Sequence, residues 1–329
     1  MSDEEDKRSA AVASSIASLE RIISVDPGNR GIGPLVMEGE LMRAARAAYR
    51  AKSVAIVTGF YILACHSPET DGPLGALAIA RALVGLGKEV TLVTDKWGKA
   101  IMEAAIAKAD FSAAAEDRMK PLLIFPESLE EGQSWEDVAG QILEQHKFDH
   151  LIAIERVGAA KDGLYHNMRG LDISAYTAPI DHLFQQAYAL SKSNQDSAAT
   201  VITTTGIGDG GNEIGMGKVM SLVERHVPRG ETIACATATD NLIVTGVSNW
   251  GGYALAAALA LLHRKETADE DGAQQPLLTT KEEESELLDA VLAAGAVDGP
   301  LMKSVRSVDG LPFEEYVKIL ERIWEVFLQ

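Results

Sequence analysis

The segment from residue 203 to 217, TTTGIGDGGNEIGMG, places two carboxylates, Asp209 and Glu213, among six glycines. The glycines at 206, 208 and 211 match the G-x-G-x-x-G fingerprint of a dinucleotide loop, and an apolar run precedes them. A pyrophosphate in that loop would meet both carboxylates, and like charges at close range repel unless a cation separates them. We therefore interpret the segment as an acidic site for a divalent cation, and we expect neither NAD nor another organic cofactor.

Further carboxylates follow other apolar runs that we predict to be strands. Glu69 and Asp71 lie in ETDG after the first run, and Asp95 follows the second run. Asp240 follows the sixth run. Carboxylate oxygens are hard ligands that suit Mn²⁺ and Mg²⁺, so the predicted metal ligands are Glu69, Asp71, Asp209, Glu213 and Asp240. The alternative is that Asp71 and Asp95 only cap the helices that follow them.

Glu155 ends the fourth apolar run, DHLIAIE, where we expect it to be largely buried. A buried carboxylate needs a cation, a metal ion or a proton, and the adjacent Arg156 points to the opposite face if the strand continues. Glu155 is therefore our preferred acid–base group, and Asp209 and Glu213 are further catalytic candidates.

The long loop RVGAAKDGLYHNMRGLDISAYTA follows Glu155 and is rich in basic and amide side chains. Its Asn167 and Arg169 could clamp a carboxylate or phosphate, although a surface loop with solvated charges is equally consistent with the composition. Two glycines, Gly208 and Gly210, would let the backbone approach a small ligand closely. Asn212 is a candidate N-cap for a helix that would begin beside them. The predicted substrate-binding residues are thus Asn167, Arg169, Gly208, Gly210 and Asn212.

Six short apolar runs must position these side chains, and helical patterns separate the runs. The predicted strands are SVAIVT (53–58), EVTLVT (89–94), PLLIF (121–125), DHLIAIE (149–155), ATVITTT (199–205) and TIACAT (232–237). This alternation predicts an α/β fold with a mostly parallel, doubly wound sheet of about six or more strands and helices on both faces. In such sheets ligands bind beyond the carboxyl ends of the strands, where the listed acids fall.

The remaining segments suggest how the chain is organised into domains. Residues 1–34 are predicted to form an N-terminal helical extension, and residues 35–329 one α/β domain. The polar, acidic stretch at 265–280 is predicted to be a mobile surface segment. Near the C-terminus, PFEEYVKILERIWEVFLQ carries an apolar helical stripe that packs on the domain or on a partner chain, so a homo-oligomer is compatible with the sequence.

Composition limits the classes of partner. The chain has 329 residues, a formal net charge of −18 at pH 7 and 47% hydrophobic residues, which argues against nucleic acid or an anionic membrane as a partner. Only two cysteines occur, so neither a disulfide framework nor a structural zinc site is supported. The acidic N-terminus lacks the features of a targeting peptide. We expect a cytoplasmic location, and the sequence is also compatible with the mitochondrial matrix.

Six fragments in order carry a resemblance to a known family: ETDGPLGA, FDHLIAIERVG, DGLYHNMRG, APIDHLF, GIGDGGNEIGMG and VSNWGGYAL. Together they resemble the C-terminal domain of the D-glutamate cyclase family, from about residue 35 to residue 325. The resemblance implies conversion of D-glutamate to 5-oxo-D-proline and water. Characterised members of this type look longer, with another domain before this one, so the fold transfers more directly than the activity.

One mechanism is consistent with both the residues and the resemblance. Bound metal polarises the γ-carboxylate of a small anionic substrate, D-glutamate, while Arg169 and Asn167 hold its α-carboxylate and Glu155 takes the proton of the amine. An Mn²⁺- or Mg²⁺-dependent phosphohydrolase that acts on a small phosphomonoester is the main alternative. A non-catalytic small-molecule-binding protein is the third hypothesis.

Overall fold

The computed structural model describes residues 3–109, 111, 117–193, 201–267 and 278–329. Its strands are β1 (Ser53–Thr58), β2 (Tyr61–Ile62), β3 (Ser67–Pro68), β4 (Glu89–Thr94), β5 (Leu123–Ile124), β6 (His150–Ile154), β7 (Thr203–Gly208), β8 (Asn241–Val244), β9 (Ser307–Val308) and β10 (Leu311–Pro312). Its helices are α1 (Asp3–Ile23), α2 (Glu40–Arg50), α3 (Pro73–Gly85), α4 (Lys99–Lys108), α5 (Trp135–His146), α6 (Asp181–Ser193), α7 (Met220–His226), α8 (Gly230–Ile233), α9 (Ser248–Thr267), α10 (Lys281–Ala293) and α11 (Phe313–Leu328).

The central sheet has six parallel strands in the order β5-β4-β1-β6-β7-β8. Counted along the chain within this sheet, the order is 3-2-1-4-5-6, which is the order of a doubly wound α/β sheet. The direction of winding reverses between β1 and β6, and a crevice for ligands opens beyond the carboxyl ends of these two strands. The predicted fold class is confirmed.

Alternating residues of β1 face two different cores. Val54 and Ile56 pack in the larger core with α1, α2, α3, α4, α9, α10 and α11, whereas Ala55 and Val57 pack in a second core with α5 and α6. Successive side chains of a strand point to opposite faces, so an unbroken apolar run is what a strand buried on both faces requires.

Four of the predicted strands differ from the structure, and two of these, at 121–125 and 149–155, are only shorter than predicted, as β5 and β6. The fifth strand, predicted at 199–205, is β7, which begins at Thr203 and runs on to Gly208, while residues 199 and 200 lie outside the described part of the chain. The run TIACAT is not a strand, because α8 covers its first residues, and the sixth strand is instead β8. Ile233 and Cys235 of that run are buried in a small core beside Val223. A short apolar run of this length does not distinguish a buried helical turn from a buried strand.

Helices α3 and α9 cross in direct backbone contact, and both begin at the carboxyl edge of the sheet. A Cβ atom added at Gly252 would lie 2.7 Å from the Cα atom of Gly75, so neither position has room for a side chain. This close approach brings the N-termini of the two helices together beside the ends of β1 and β6.

Both chain ends pack on the domain. Helix α1 and helix α11 contribute to the larger core, and the apolar stripe of α11 is buried against it through Tyr316, Leu320 and Ile323. Of the predicted mobile segment, Lys265–Thr267 end α9, whereas residues 268–277 lie outside the described part of the chain. No helix in the described ranges has the length and apolar character needed to cross a bilayer.

Candidate functional site

A cavity of about 560 Å³ opens at the carboxyl edge of the sheet. Loops that follow β1, β6 and β7 line it, together with residues 27–30 after α1 and residues 299–311 after α10. Five carboxylates are among the residues that line it: Glu69, Glu155, Asp209, Glu213 and Asp309. Arg30 and Arg169 are the cationic side chains of the same lining. Acidic side chains therefore outnumber basic ones in the cavity lining.

Three acids from three different loops converge at this edge. One oxygen atom from each of Asp71, Glu155 and Asp209 lies within 4.8 Å of the others, and all three side chains are buried. The acids follow β1, β6 and β7, and they lie more than 50 residues apart in sequence, but these strands are neighbours around the switch point of the sheet. The chain therefore assembles the cluster only when the sheet forms.

The N-terminus of α9 holds Asp71. Its Oδ2 accepts a hydrogen bond from the backbone N–H of Ser248 at 2.8 Å, and its Oδ1 accepts one from the N–H of Asn249 at 2.8 Å. In return, Oδ1 of Asn249 accepts hydrogen bonds from the N–H groups of Gly72 and Gly75 at the start of α3. Asp71, which lies just before α3, thus caps α9, and Asn249, at the start of α9, caps α3. Asp71 therefore has one fixed orientation.

Glu155 has a strained backbone and a fixed side chain. Its φ is 44°, in the left-handed region that non-glycine residues rarely adopt. The Ser248 hydroxyl donates a hydrogen bond of 2.5 Å to Oε2 of Glu155, and both side chains are buried. Such strain persists only where surrounding structure enforces it, and it is common at functional sites.

Asp209 is paired with a half-buried arginine, Arg30, through one of its two oxygens only. Nη1 of Arg30 lies 2.8 Å from Oδ1 of Asp209, and Nη2 of Arg30 also pairs with Asp309. Oδ2 of Asp209 is buried and has no hydrogen-bond partner. This unpartnered oxygen belongs to the acid that completes the cluster with Asp71 and Glu155.

Burial and mutual repulsion raise the pKa values of these acids. Burial raises the pKa of Glu155 well above its usual range, and the neighbouring Asp209 and Glu69 raise it further. Burial also raises the pKa of Glu69, with a further contribution from Asp71, and it raises the pKa of Asp71, with further contributions from Asp209 and Asp309. Burial raises the pKa of Asp209 to about 6, although Arg30 opposes the shift. Carboxyl groups with raised pKa values either hold protons or lose them when a cation binds in their place.

The cluster has the chemistry of a site for a hard divalent cation. It offers carboxylate oxygens at converging positions, and one of these oxygens has no partner within the protein. Asp71, Glu155 and Asp209 are the residues that could hold such an ion, and Glu69 lines the same cavity. Mg²⁺ and Mn²⁺ are commonly bound by a small number of carboxylates that leave coordination positions for water and substrate.

Glu213 is held by its own loop. Its Oε1 accepts hydrogen bonds from the N–H groups of Asp209 and Gly210, and its Oε2 accepts one from the N–H of Gly211. The backbone donors that a nucleotide loop would direct at a phosphate are thus occupied by a carboxylate from the same segment. Burial, followed by the charge of Asp209, raises the pKa of Glu213 to about 7. Glu213 therefore fixes the conformation of the loop that carries Asp209.

Two expectations for this loop are corrected. Neither Gly208 nor Gly210 lines the cavity, because a Cβ atom at Gly208 would lie 2.9 Å from the side chain of Glu213 and one at Gly210 would lie 2.7 Å from Sδ of Met168. These glycines make room for protein side chains, not for a substrate. Asn212 does line the cavity, but no helix begins there, and its Nδ2 donates to the carbonyl of His166 at 2.7 Å.

Asn167 and Arg169 lie at the cavity, as the loop composition predicted. Oδ1 of Asn167 accepts hydrogen bonds from the N–H groups of Arg169 and Leu171, which orders the loop. None of the described residues accepts a hydrogen bond from Nδ2 of Asn167, so this amide group is available to donate to a ligand in the cavity. Arg169 is exposed at the mouth, where its Nη1 lies 3.3 Å from Sδ of Met302.

Asp240 and Asp95 do not join the cluster. Asp240 precedes β8 at the amino edge of the sheet, where it is exposed and accepts hydrogen bonds from the N–H and hydroxyl of Thr204. Its expected position was wrong because the run before it is not a strand. Asp95 caps the turn before α4 through the N–H groups of Trp97 and Gly98. Its other oxygen pairs with Arg156 at 2.7 Å.

Sequence reasoning missed three residues that the structure brings to the site. Arg30 and Asp309 come from loops near the two ends of the chain, outside the strand–loop pattern that directed the search. Ser248 is the first residue of α9, and no sequence pattern singled it out as a site residue. The one local signal is the glycine-rich and proline-rich composition around Arg30 and the Asp-Gly pair at Asp309, and such composition predicts turns, not a site.

Comparison with known proteins gives two matches. A family described as "D-glutamate cyclase-like, C-terminal" matches residues 19–324. The human protein named "D-glutamate cyclase, mitochondrial" is 40% identical over 257 residues, which make up 78% of this chain and 40% of the human protein. The chain thus spans well under half the length of that relative. The family match begins earlier than the resemblance predicted and includes the segment that carries Arg30.

Proposed function

Since this chain belongs to the D-glutamate cyclase-like family, we propose that it converts D-glutamate to 5-oxo-D-proline and water in the acidic cavity. The observation that carries the proposal is the convergence of Asp71, Glu155 and Asp209 within 4.8 Å at the switch point of the sheet. The name of the human relative, which is a longer protein, gives the reaction and the substrate that we carry over to this chain.

Charge is the main reason to include a divalent metal, Mn²⁺ or Mg²⁺, in the proposal. D-Glutamate is an anion at neutral pH, and it would be repelled by a buried cluster of ionised carboxylates. Asp71 and Asp209 would hold the ion, and the unpartnered Oδ2 of Asp209 supports this pair, while Glu155, the third acid of the cluster, is left for proton transfer. When bound, the ion would supply Lewis-acid polarisation of the γ-carboxylate.

Residues of the loop after β6 would orient the substrate. Nδ2 of Asn167 and the guanidinium of Arg169 are the donors that can hold the α-carboxylate. This contact would direct the α-amine and the γ-carboxylate of D-glutamate toward the acids at the inner end of the cavity. Holding the two reacting groups close together supplies part of the rate enhancement, because the reaction is intramolecular and needs a folded substrate conformation.

Glu155 would act as the general base and then as the general acid. It takes a proton from the α-ammonium group, and the freed nitrogen attacks the γ-carboxyl carbon, which forms the C–N bond of the ring. One oxygen of that carboxyl group then leaves as water when the C–O bond breaks, and it carries the two protons that the nitrogen has lost. The Ser248 hydroxyl fixes Glu155 beside the cluster, in position for this exchange of protons.

The test is direct turnover by the purified chain. It is incubated with D-glutamate in the presence of Mn²⁺, Mg²⁺ or EDTA, and 5-oxoproline is measured by chiral chromatography, with L-glutamate as the stereochemical control. Product should form with metal and decline with EDTA. Asp209→Asn should abolish it, whereas Asp240→Asn, at the opposite edge of the sheet, should retain it. The absence of 5-oxoproline under all metal conditions would refute the proposal.

The two other hypotheses give different results in the same preparation. A phosphohydrolase would release phosphate from a panel of phosphomonoesters in a metal-dependent manner, and we expect no such release. A binding protein without catalytic activity would bind D-glutamate in calorimetry but form no product. The family match favours neither of these hypotheses.

A further inference from the structure

The cavity is larger than free glutamate requires. Its volume of about 560 Å³ falls in the range of roughly 300–1,000 Å³ that holds drug-sized ligands. Glutamate is much smaller, and its only apolar part is a short methylene chain. A ligand that filled the cavity would need both a polar head for the acid cluster and additional apolar surface.

One wall of the cavity is apolar and firmly packed. Four consecutive residues after β1 form it: Phe60, Tyr61, Ile62 and Leu63. The Phe60 side chain is buried in a small core with Ile62 and Leu63 at its margin. The ring of Tyr61 stacks on that of Tyr176 with 4.6 Å between centroids and an angle of 3° between planes. This wall is thus a preformed surface against which an apolar group can pack.

Apolar side chains are also exposed at the mouth. Leu171 is 50% exposed and Met302 is 37% exposed, and both line the cavity. Apolar side chains beside a cavity can contact the apolar part of a ligand that fills it. Arg169 stands among them and touches Met302. The cavity lining therefore combines carboxylates, apolar side chains and the guanidinium of Arg169.

We propose that the preferred substrate class is short peptides with an N-terminal D-glutamyl residue followed by an apolar residue. This inference rests on the proposed function. The D-glutamyl residue occupies the acid cluster, and Nδ2 of Asn167 donates to the oxygen of the peptide carbonyl that replaces the free α-carboxylate. The second side chain packs on Phe60 and Ile62, and the C-terminal carboxylate of a dipeptide reaches Arg169 at the mouth.

The chemistry is the same ring closure. The free α-amine attacks the γ-carboxyl carbon, the C–N bond forms, and one γ-oxygen leaves as water with the two protons that the nitrogen has lost. The peptide bond is not broken, so the product is a 5-oxo-D-prolyl peptide. No oxidant, reductant or other co-reactant is needed.

The experiment compares three substrates with the purified chain and Mn²⁺: D-glutamate, D-glutamyl-glycine and D-glutamyl-phenylalanine. Mass spectrometry follows the loss of water from each. We expect kcat/KM for D-glutamyl-phenylalanine to exceed that for D-glutamyl-glycine at least tenfold, mainly through KM. Turnover of D-glutamate without turnover of either dipeptide would overturn the inference and leave the proposed function intact. Failure of all three substrates would refute the proposed function and the inference with it.

A matched pair of variants tests the apolar surface. Leu171→Ser should lower the preference for phenylalanine over glycine severalfold, because it removes apolar surface at the mouth. The control is Val201→Ser, since Val201 is 55% exposed but lies just before β7 at the other edge of the sheet. It should keep the preference of the unaltered protein. If Leu171→Ser kept the same preference, or if phenylalanine had no advantage over glycine, the proposed substrate class would be wrong.

Discussion

Glu155 and Arg156 are neighbours in the chain, but they lie in two regions of opposite character. Arg156 is buried and pairs with Asp95, and it donates hydrogen bonds to the carbonyls of Gly59 and Ala178. The other region contains Glu155, Asp71 and Asp209, where acids meet acids and one buried oxygen has no partner. The backbone turns between the two residues, so the side chain of Arg156 faces Asp95 and the side chain of Glu155 faces the acid cluster.

The difference shows which buried carboxylates indicate a site. Asp95 and Asp71 both follow a strand and both accept hydrogen bonds from a helix N-terminus. Asp95 is neutralised by an arginine, so the structure accounts for its charge. Asp71 is surrounded by other acids, and burial raises its pKa. The buried ion pair of Arg156 and Asp95, the structural pair, needs no ligand, whereas the acid cluster needs protons or a cation.

The largest expected effect is on activity in the acid cluster. Glu155→Gln keeps the size of the side chain and can still accept the hydrogen bond from Ser248, but it cannot take a proton. We expect kcat for D-glutamate to fall by about 10³-fold, which is about 4 kcal/mol in activation free energy. Stability should be unchanged or slightly higher, since a buried charge is removed. Activity within tenfold of the original would contradict the role of Glu155.

A comparable change in the structural pair should act on stability. Arg156→Met leaves Asp95 as an unpaired buried charge, and we expect the free energy of unfolding to fall by about 3 kcal/mol or more. Urea denaturation measures this loss. The control is the double variant with Asp95→Asn, which should recover part of the loss because the uncompensated charge is gone. A loss below about 1 kcal/mol would mean that the pair is not what stabilises this region.

A third carboxylate, Glu284, separates burial from catalysis. It lies away from the cavity, its Oε1 accepts hydrogen bonds from the hydroxyls of Tyr253 and Tyr316, and its Oε2 is buried without a partner. Burial raises its pKa from 4.5 to about 7, and the tyrosines oppose the shift. The folded protein therefore binds more protons than the unfolded chain between these pH values.

The sign of the pH effect follows from that difference. The contribution of Glu284 to the free energy of unfolding is highest at low pH and is lost as pH rises through about 7. The whole contribution amounts to up to about 3 kcal/mol. Glu284→Gln should flatten the dependence of Tm on pH between 5 and 8 without a change in KM for D-glutamate. An unaltered slope in the variant would show that Glu284 does not hold the proton. The exposed Glu103 supplies the matched control, Glu103→Gln, which should keep the original slope.

The smallest expected effect concerns the hydroxyl that orients Glu155. Ser248→Ala removes the 2.5 Å hydrogen bond to Oε2, and we expect kcat to fall by about tenfold with little change in KM. Loss of this donor destabilises the carboxylate form, so the acidic limb of the pH–rate profile should move to higher pH. Ser248→Thr should restore most of the activity. A fall in Tm with no movement of the pH profile would indicate a purely structural role.

The sequence predicted most of the fold because the relevant signals are local. Unbroken apolar runs such as SVAIVT are required of strands buried on both faces, and β1 was predicted at its observed bounds, Ser53–Thr58. Helical patterns were predicted between these runs, and α3, between β1 and β4, is one of the helices found there. The strand expected at TIACAT was wrong, because a buried helical turn and a buried strand share that composition over a few residues.

The site was only partly predictable, because sequence patterns are local and the site is assembled from distant segments. Glu69, Asp71, Glu155 and Asp209 were named because acids after parallel strands meet at one sheet edge. Arg30 and Asp309 come from segments before and after the sheet, and no spacing rule connects them to Asp209. The partner of a carboxylate depends on which loops fold over it, and that is a long-range property.

By itself, the sequence determined the family, the doubly wound sheet and the loops that carry acids, because these depend on residue type, periodicity and ordered motifs. Only the tertiary structure decided what each acid does. In GIGDGGNEIGMG, the Glu213 carboxylate accepts hydrogen bonds from the N–H groups of its own loop, whereas Oδ2 of Asp209 has no partner. The physical reason is that a carboxylate's charge state and function are set by its surroundings in space, which for Asp209 come from both ends of the chain.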